Sequence, residues 1–206
     1  MRQRIADYFA TLARLTLAAE ATDGAGNQAT LDDVFGAVMA RARAAHASGN
    51  KVMFIGNGGS AAIASHMAID YTKNGGIRAL AFNDGAALTC LGNDLGYAQV
   101  FARQIEMHAR AGDLLIAISS SGNSANILAA VEAARGRGCA VVTFSGFRPD
   151  NKLRARGDYN LYVASEDYGF VEVAHLALNH AILDLAMGWG AGAADGDRVI
   201  AIEATA

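Results

Sequence analysis

The sequence predicts an α/β domain in which a parallel sheet carries helices on both sides, preceded by an N-terminal helical hairpin. Three observations carry this expectation. Hydrophobic residues make up 52% of the 206-residue chain and charged residues 18%, with a single proline, which leaves ample material for a buried core. From Lys51 onward, short unbroken apolar runs alternate with longer helix-like segments, as in parallel sheets whose strands are buried on both faces. Before Lys51 the apolar residues recur with helical spacing instead. The chain reads as one domain over 1–206, with helices in 1–50, an α/β core in 51–187 and a tail in 188–206.

In chain order, Ile5, Phe9, Leu12 and Leu15 share one face of a first helix, which a polar break from Thr22 to Ala29 ends. Thr30 and Asp33 then form a capping box before Leu31, Val34, Phe35, Val38 and Met39. Strands are expected over 51–55, 78–82, 114–118, 139–144 and 159–163. Helices are expected over Ser60–Asn74, Ala98–Ala111, Ser124–Gly136 and Val171–Met187, with Gly75 and Gly138 at C-terminal caps. In the tail, Val199–Ile202 reads as a small extra strand or a subunit contact.

Seventeen Lys+Arg against 20 Asp+Glu give a formal net charge of −3, without the basic footprint of a dedicated nucleic-acid binder. Cys90 and Cys139 form neither a disulfide framework nor a CxxC metal site, and read as buried thiols in a reducing compartment. The N-terminus lacks an apolar signal core. The apolar stretch from Leu176 to Ala194 is broken by Asn179, His180, Asp184 and several glycines, so a buried helix is expected there rather than a membrane span. A cytoplasmic protein is expected.

Two expected strand ends have the composition of an anion cradle. Gly56-Asn57-Gly58-Gly59-Ser60 follows Val52–Ile55, and Ser119-Ser120-Ser121-Gly122-Asn123-Ser124 follows Leu114–Ile118. Glycines let backbone approach an anion, hydroxyls add donors, and a helix start adds about half a positive charge. Neither loop holds a lysine, so binding would rest on N–H and O–H donors. Gly56, Gly58 and Ala61 also fit a dinucleotide-binding fingerprint, although Asn83-Asp84 does not clearly end the next strand with an acidic residue. His66 and Asp70 lie four apart on the helix opened by the first loop, and so share a face. On the last helix Glu172, His175 and His180 interrupt an apolar surface. His175 reads as a satisfied core residue, Glu172 and His180 as functional. The eight residues between Glu172 and His180 correspond to about 12 Å of helix rise, so sharing one site requires a favourable helix orientation or a neighbouring subunit.

The runs Gly56–Ser60 and Ile118–Asn126, with Asn93-Asp94, Tyr97 and Phe101, resemble the sugar isomerase (SIS) domain family, in particular its phosphoheptose (sedoheptulose 7-phosphate) isomerase group. The likeness runs from the N-terminal helices to about Met187. It implies a three-layer, flavodoxin-like sandwich with a five-stranded parallel sheet, and a homotetramer with active sites between subunits. It implies substrate binding by Asn57, Gly58, Ser60, Asp94, Ser119, Ser120, Ser121, Ser124 and Glu172. It further implies that Asp70 and His180 move protons between C1 and C2 of an open-chain phosphosugar, and that His66, Asp70, Glu172 and His180 can hold zinc. Asp70 stands where the family has Glu and Glu172 where it has Gln, and Ser165–Phe170 replace its polar stretch before the last helix.

The leading expectation is therefore an aldose–ketose isomerase converting sedoheptulose 7-phosphate to a manno-heptose 7-phosphate through an enediol(ate). A non-catalytic SIS protein binding a sugar phosphate or a protein partner is the alternative, and a nucleotide-binding module a third reading.

Overall fold

A computed structural model describes residues 1–190 of the chain; Val199–Ile202 lies outside the described residues. The parallel core contains β3 (Val52–Gly56), β4 (Ala79–Ala81), β5 (Leu114–Ser119), β6 (Ala140–Ser145) and β7 (Tyr159–Tyr162), at the expected apolar runs. Two strands precede them, β1 (Glu20–Asp23) and β2 (Gln28–Ala29), and the seven-stranded sheet has the order β2-β1-β7-β6-β5-β3-β4. The five parallel strands therefore stand as expected, and an antiparallel hairpin extends the sheet beyond β7.

That hairpin corrects the polar break expected at Thr22–Ala29. Asp23 builds its turn, because Oδ1 accepts from the backbone N–H groups of Ala25 and Asn27 at 2.9 Å while Oδ2 accepts from the Asn27 amide. An aspartate closing a turn on itself before glycine is the chemistry of a tight hairpin loop.

The helices are α1 (Arg2–Leu17), α2 (Leu31–Ala47), α3 (Gly59–Lys73), α4 (Gly85–Leu95), α5 (Ala102–His108), α6 (Ala125–Gly136) and α7 (Tyr168–Ala186). Thr30 caps α2 as expected, its hydroxyl accepting from the Asp33 N–H at 3.1 Å. Gly138 takes a positive φ just past α6, whereas after α3 that conformation falls on Gly76 rather than Gly75. Helix α4 was not expected, and the helix expected over Ala98–Ala111 is a 3-10 turn, Tyr97–Gln99, followed by the short α5. Cys90 lies exposed on α4 rather than buried; Cys139 is buried, which pushes its thiol up to about 11.

Successive residues of β3 face opposite layers. Val52 and Phe54 join a core with Val34, Met67, Tyr71 and Ile182 under α2, α3 and α7; Met53 and Ile55 join one with Phe101, Ile105, Ile127 and Val131 under α5 and α6. The first two helices do not form the expected hairpin: each packs against α7. Of the expected α1 face, Leu15 is buried, while Ile5 and Phe9 are 51% and 61% exposed. Among the described residues, no helix is long and apolar enough to cross a membrane.

His175 is fully buried on α7, with Nε2 donating to the Ser145 carbonyl at 3.0 Å and Nδ1 without a partner among the described residues. The core placement was expected; full satisfaction of the ring was not met. Burial disfavours the imidazolium and pushes the group from 6.5 down to about 4. The unfolded chain therefore binds more protons between those values, so this contribution to stability is complete above pH 6.5 and lost as pH falls toward 4. Its size is about 3 kcal/mol. In urea titrations at pH 7.5 and 4.5, His175→Gln is expected to lose less stability on acidification than the parent chain; equal losses would contradict the assignment.

Candidate functional site

Strands β3 and β5 are neighbours, yet their connections leave in opposite directions: β3 passes through α3 to β4, and β5 through α6 to β6. The loops leaving their carboxyl ends therefore diverge and open a crevice, the usual ligand position in such sheets. The two loops expected as anion cradles flank this crevice.

In the first loop Gly58, with φ +55°, is the N-cap of α3, and Ser60 is 3% exposed. In the second, Ser119 and Ser120 are buried and Ser124 is the N-cap of α6. Ser119 Oγ accepts from the Gly122 N–H at 3.2 Å and lies 3.4 Å from Ser124 Oγ, while Ser121 Oγ accepts from the Asn123 N–H. The buried Ser120 hydroxyl has no partner among the described residues. Neither α3 nor α6 has a side-chain cap, so the first N–H groups of both helices remain free to meet an anion.

Farther along α3, His66 and Asp70 face α7, where His180 meets them. Asp70 Oδ2 lies 3.4 Å from His66 Nε2 and 3.6 Å from His180 Nδ1. The ligand atoms of these three residues lie within 4.8 Å of one another, all from one chain, so this grouping needs no neighbouring subunit. Glu172 does not join them. Its carboxylate rests against Gly59 at the start of α3, where a Cβ would strike it. It lines a cavity of about 320 Å³ with Gly59, Ile63, His66, Val173 and Leu176. The eight residues of α7 between Glu172 and His180, about 12 Å of helix rise, are the physical reason. Asp94, exposed on α4, accepts from the Asn93 amide and the Cys90 thiol rather than from either loop.

Two residues given no role of their own from the sequence enter the crevice. Asn126, in the first turn of α6, exchanges two hydrogen bonds with Asn57, and the Tyr97 hydroxyl donates to Asn57 Oδ1 at 3.0 Å. Their position within a motif beside the loops was the only available sequence signal.

A doubly wound sheet with lysine-free Gly- and Ser-rich loops at its switch point, and a His/Asp/His cluster where the helix opened by one loop meets α7, fits a phosphosugar-handling domain. The chain belongs to the SIS domain family, whose model matches residues 25–146. Its relatives include the phosphoheptose isomerase of Aliarcobacter butzleri, 42% identical over 144 residues, covering 67% of this chain and 76% of that protein. That of Geobacter sp. is 37% identical over 147 residues, covering 68% and 76%. Among solved structures, a phosphoheptose isomerase from Neisseria gonorrhoeae matches with a TM-score of 0.75 and 32% identity, covering 89% of this chain and 98% of the other.

Proposed function

We propose that this chain is a phosphosugar aldose–ketose isomerase of heptose biosynthesis, interconverting sedoheptulose 7-phosphate and D-glycero-D-manno-heptose 7-phosphate, with residues 1–206 acting as one domain. The observation that carries the reading is the meeting of His66 and Asp70, on the helix that the first anion loop opens, with His180 of α7. From Gly59 to His66 the helix rises about 10 Å. That separation suits an open-chain heptose phosphate, whose phosphate and carbonyl lie at opposite ends of seven carbons.

The phosphate sits among Gly58, Ser60, Ser119, Ser120, Ser121 and Ser124, held by hydroxyls and the free N–H groups of α3 and α6. Asn57 and Asp94 face the sugar. Asp70 takes the proton from the carbon beside the carbonyl and returns it to the neighbouring carbon, while His180 moves a proton between the two oxygens. Glu172, on α7 with its carboxylate against Gly59 at the start of α3, lines a cavity with His66 and contacts the sugar chain.

The donor set suits zinc, which takes imidazole nitrogen and carboxylate oxygen at about 2.0–2.2 Å in a tetrahedron whose edges are then about 3.3 Å. The 3.4 and 3.6 Å separations come near that edge and are long for hydrogen bonds. His66, Asp70 and His180 would hold the ion, and zinc would supply a Lewis acid for the substrate's oxygens. The chain acts as a homo-oligomer, a tetramer with sites near subunit interfaces. This is supported by apolar side chains left exposed at Ile5, Tyr8, Phe9, Ile69 and Val173. Two free cysteines and a phosphorylated substrate suit the cytoplasm.

The test is incubation of purified, zinc-supplemented chain with sedoheptulose 7-phosphate in deuterated water, with metal analysis and light scattering on the same sample. Aldose product carrying solvent deuterium, and a particle mass that is a multiple of 21.3 kDa, are expected. Absence of both turnover and exchange would defeat the enzymatic reading, and a monomer would defeat the assembly.

A further inference from the structure

The Asn57 side chain is tied in three places. Its Oδ1 accepts from Asn126 Nδ2 at 2.8 Å and from the Tyr97 hydroxyl at 3.0 Å, which occupies both lone pairs. Its Nδ2 gives one proton to Asn126 Oδ1 at 2.9 Å. Only the second Nδ2 proton has no acceptor among the described residues. Asn57 itself is partly exposed at the crevice, whereas Asn126 is 3% exposed beneath it. The two asparagines lie 69 residues apart, so their paired amides bridge the loop after β3 and the first turn of α6 across the switch point. Tyr97 brings in a third segment, the turn that follows the Asp94-bearing α4.

We propose that Asn126 and Tyr97 are positioning residues that hold the Asn57 amide in one orientation, leaving it a single N–H to donate to an oxygen of the phosphosugar. A free asparagine presents a donor and an acceptor with equal ease, and a half-turn of its amide exchanges them. A half-turn of Asn57 alone breaks both bonds to Asn126, setting N–H against N–H and carbonyl against carbonyl, and forces the Tyr97 hydroxyl to accept where it now donates. The arrangement therefore specifies what Asn57 can recognise. It can donate to a phosphate, carbonyl or hydroxyl oxygen and cannot accept from a sugar hydroxyl. It also sets the spacing of the two loops, because Asn126 belongs to the helix that the serine loop opens. This assignment rests on the isomerase reading above and names how one of its binding residues is kept fit for use.

Tyr97→Phe removes one donor from a residue that is 62% exposed, so the fold is not at stake. Losing a hydrogen bond of ordinary strength is expected to raise KM for sedoheptulose 7-phosphate about three- to tenfold, with kcat within about twofold of the parent. Asn126→Ala removes two of the three bonds, leaving only Tyr97 on the amide, and is expected to raise KM further. The deciding measurement is a cycle with Asn57→Ala: if Tyr97 acts through Asn57, adding Tyr97→Phe to that background changes KM no further. An unchanged KM in Tyr97→Phe, or an effect that persists without the Asn57 side chain, overturns the proposal. A parent chain that neither binds nor turns over this substrate defeats the isomerase reading and this proposal with it; a working parent with an indifferent Tyr97→Phe defeats the proposal alone.

Discussion

Asp70→Asn is expected to lower turnover of sedoheptulose 7-phosphate by about 10²–10⁴ while leaving the fold intact. The substitution keeps the shape of the side chain and removes its charge and basicity. Proton abstraction beside a carbonyl needs a positioned base, and general acid–base catalysis by one group is worth about that factor. An amide cannot take the proton, and as a neutral ligand it also weakens any cation held by the two imidazoles. Stability is expected to change by about 1 kcal/mol or less, because the amide keeps the side chain's shape and the approaches to His66 and His180, at 3.4 and 3.6 Å, are long for hydrogen bonds. The two effects separate experimentally: steady-state rates and solvent-deuterium exchange report the chemistry, and thermal unfolding reports the fold. A variant that keeps more than a tenth of parental turnover would remove Asp70 from the proton-transfer role. One that loses turnover only because it unfolds would leave catalysis by this residue without support.

Sequence and structure agree where local pattern alone decides the outcome. The central strands β3, β5 and β6 were legible because they are buried on both faces and therefore read as unbroken apolar runs, while β4, with no buried residue, and β7 carry the pattern more weakly. The His66–Asp70 pair was legible because positions four apart on a helix must share a face. The hairpin β1–β2 was hidden because only Ala21 of β1 is buried, so neither strand carries an apolar period, and the Asp23 turn reads as polar loop. Helix α4 was hidden for a related reason: it buries no residue and contains Gly85 and Gly92. Its signals were the Asp84 cap, which accepts from the Ala87 N–H, and the three- to four-residue spacing of Leu88, Leu91 and Leu95. Spatial grouping across elements was the least legible. Joining His180 to the α3 pair while leaving Glu172 at Gly59 depends on how α7 lies along α3. The Asn57–Asn126 pair depends on two loops 69 residues apart meeting at one switch point. Neither leaves a period in the sequence.

Gly56→Ala is expected to destabilise the chain by about 3 kcal/mol or more, a shift of roughly 6–12 °C in Tm for a protein of this size. Gly56 is the last residue of β3, paired with Ile118 in the middle of the sheet, and the chain turns back over it into α3. A Cβ there would overlap the backbone of Ser60 and approach Ser60 Cβ to 2.8 Å. The obstruction is main chain, so no rotamer change can relieve it; either the strand end or the first turn of α3 must move. Moving that turn displaces the Ser60 hydroxyl and the uncapped N–H groups of the anion loop, so phosphosugar binding should weaken in whatever fraction remains folded. Gly36→Ala supplies the control. Gly36 lies exposed on α2 with nothing within 4 Å of an added Cβ, and alanine there should stabilise by about 0.5–1 kcal/mol. Opposite shifts in Tm for the two variants, with loss of affinity confined to Gly56→Ala, are the expected result. A Gly56→Ala chain as stable as its parent would mean that the close passage of strand over helix start, on which the anion loop depends, is not there.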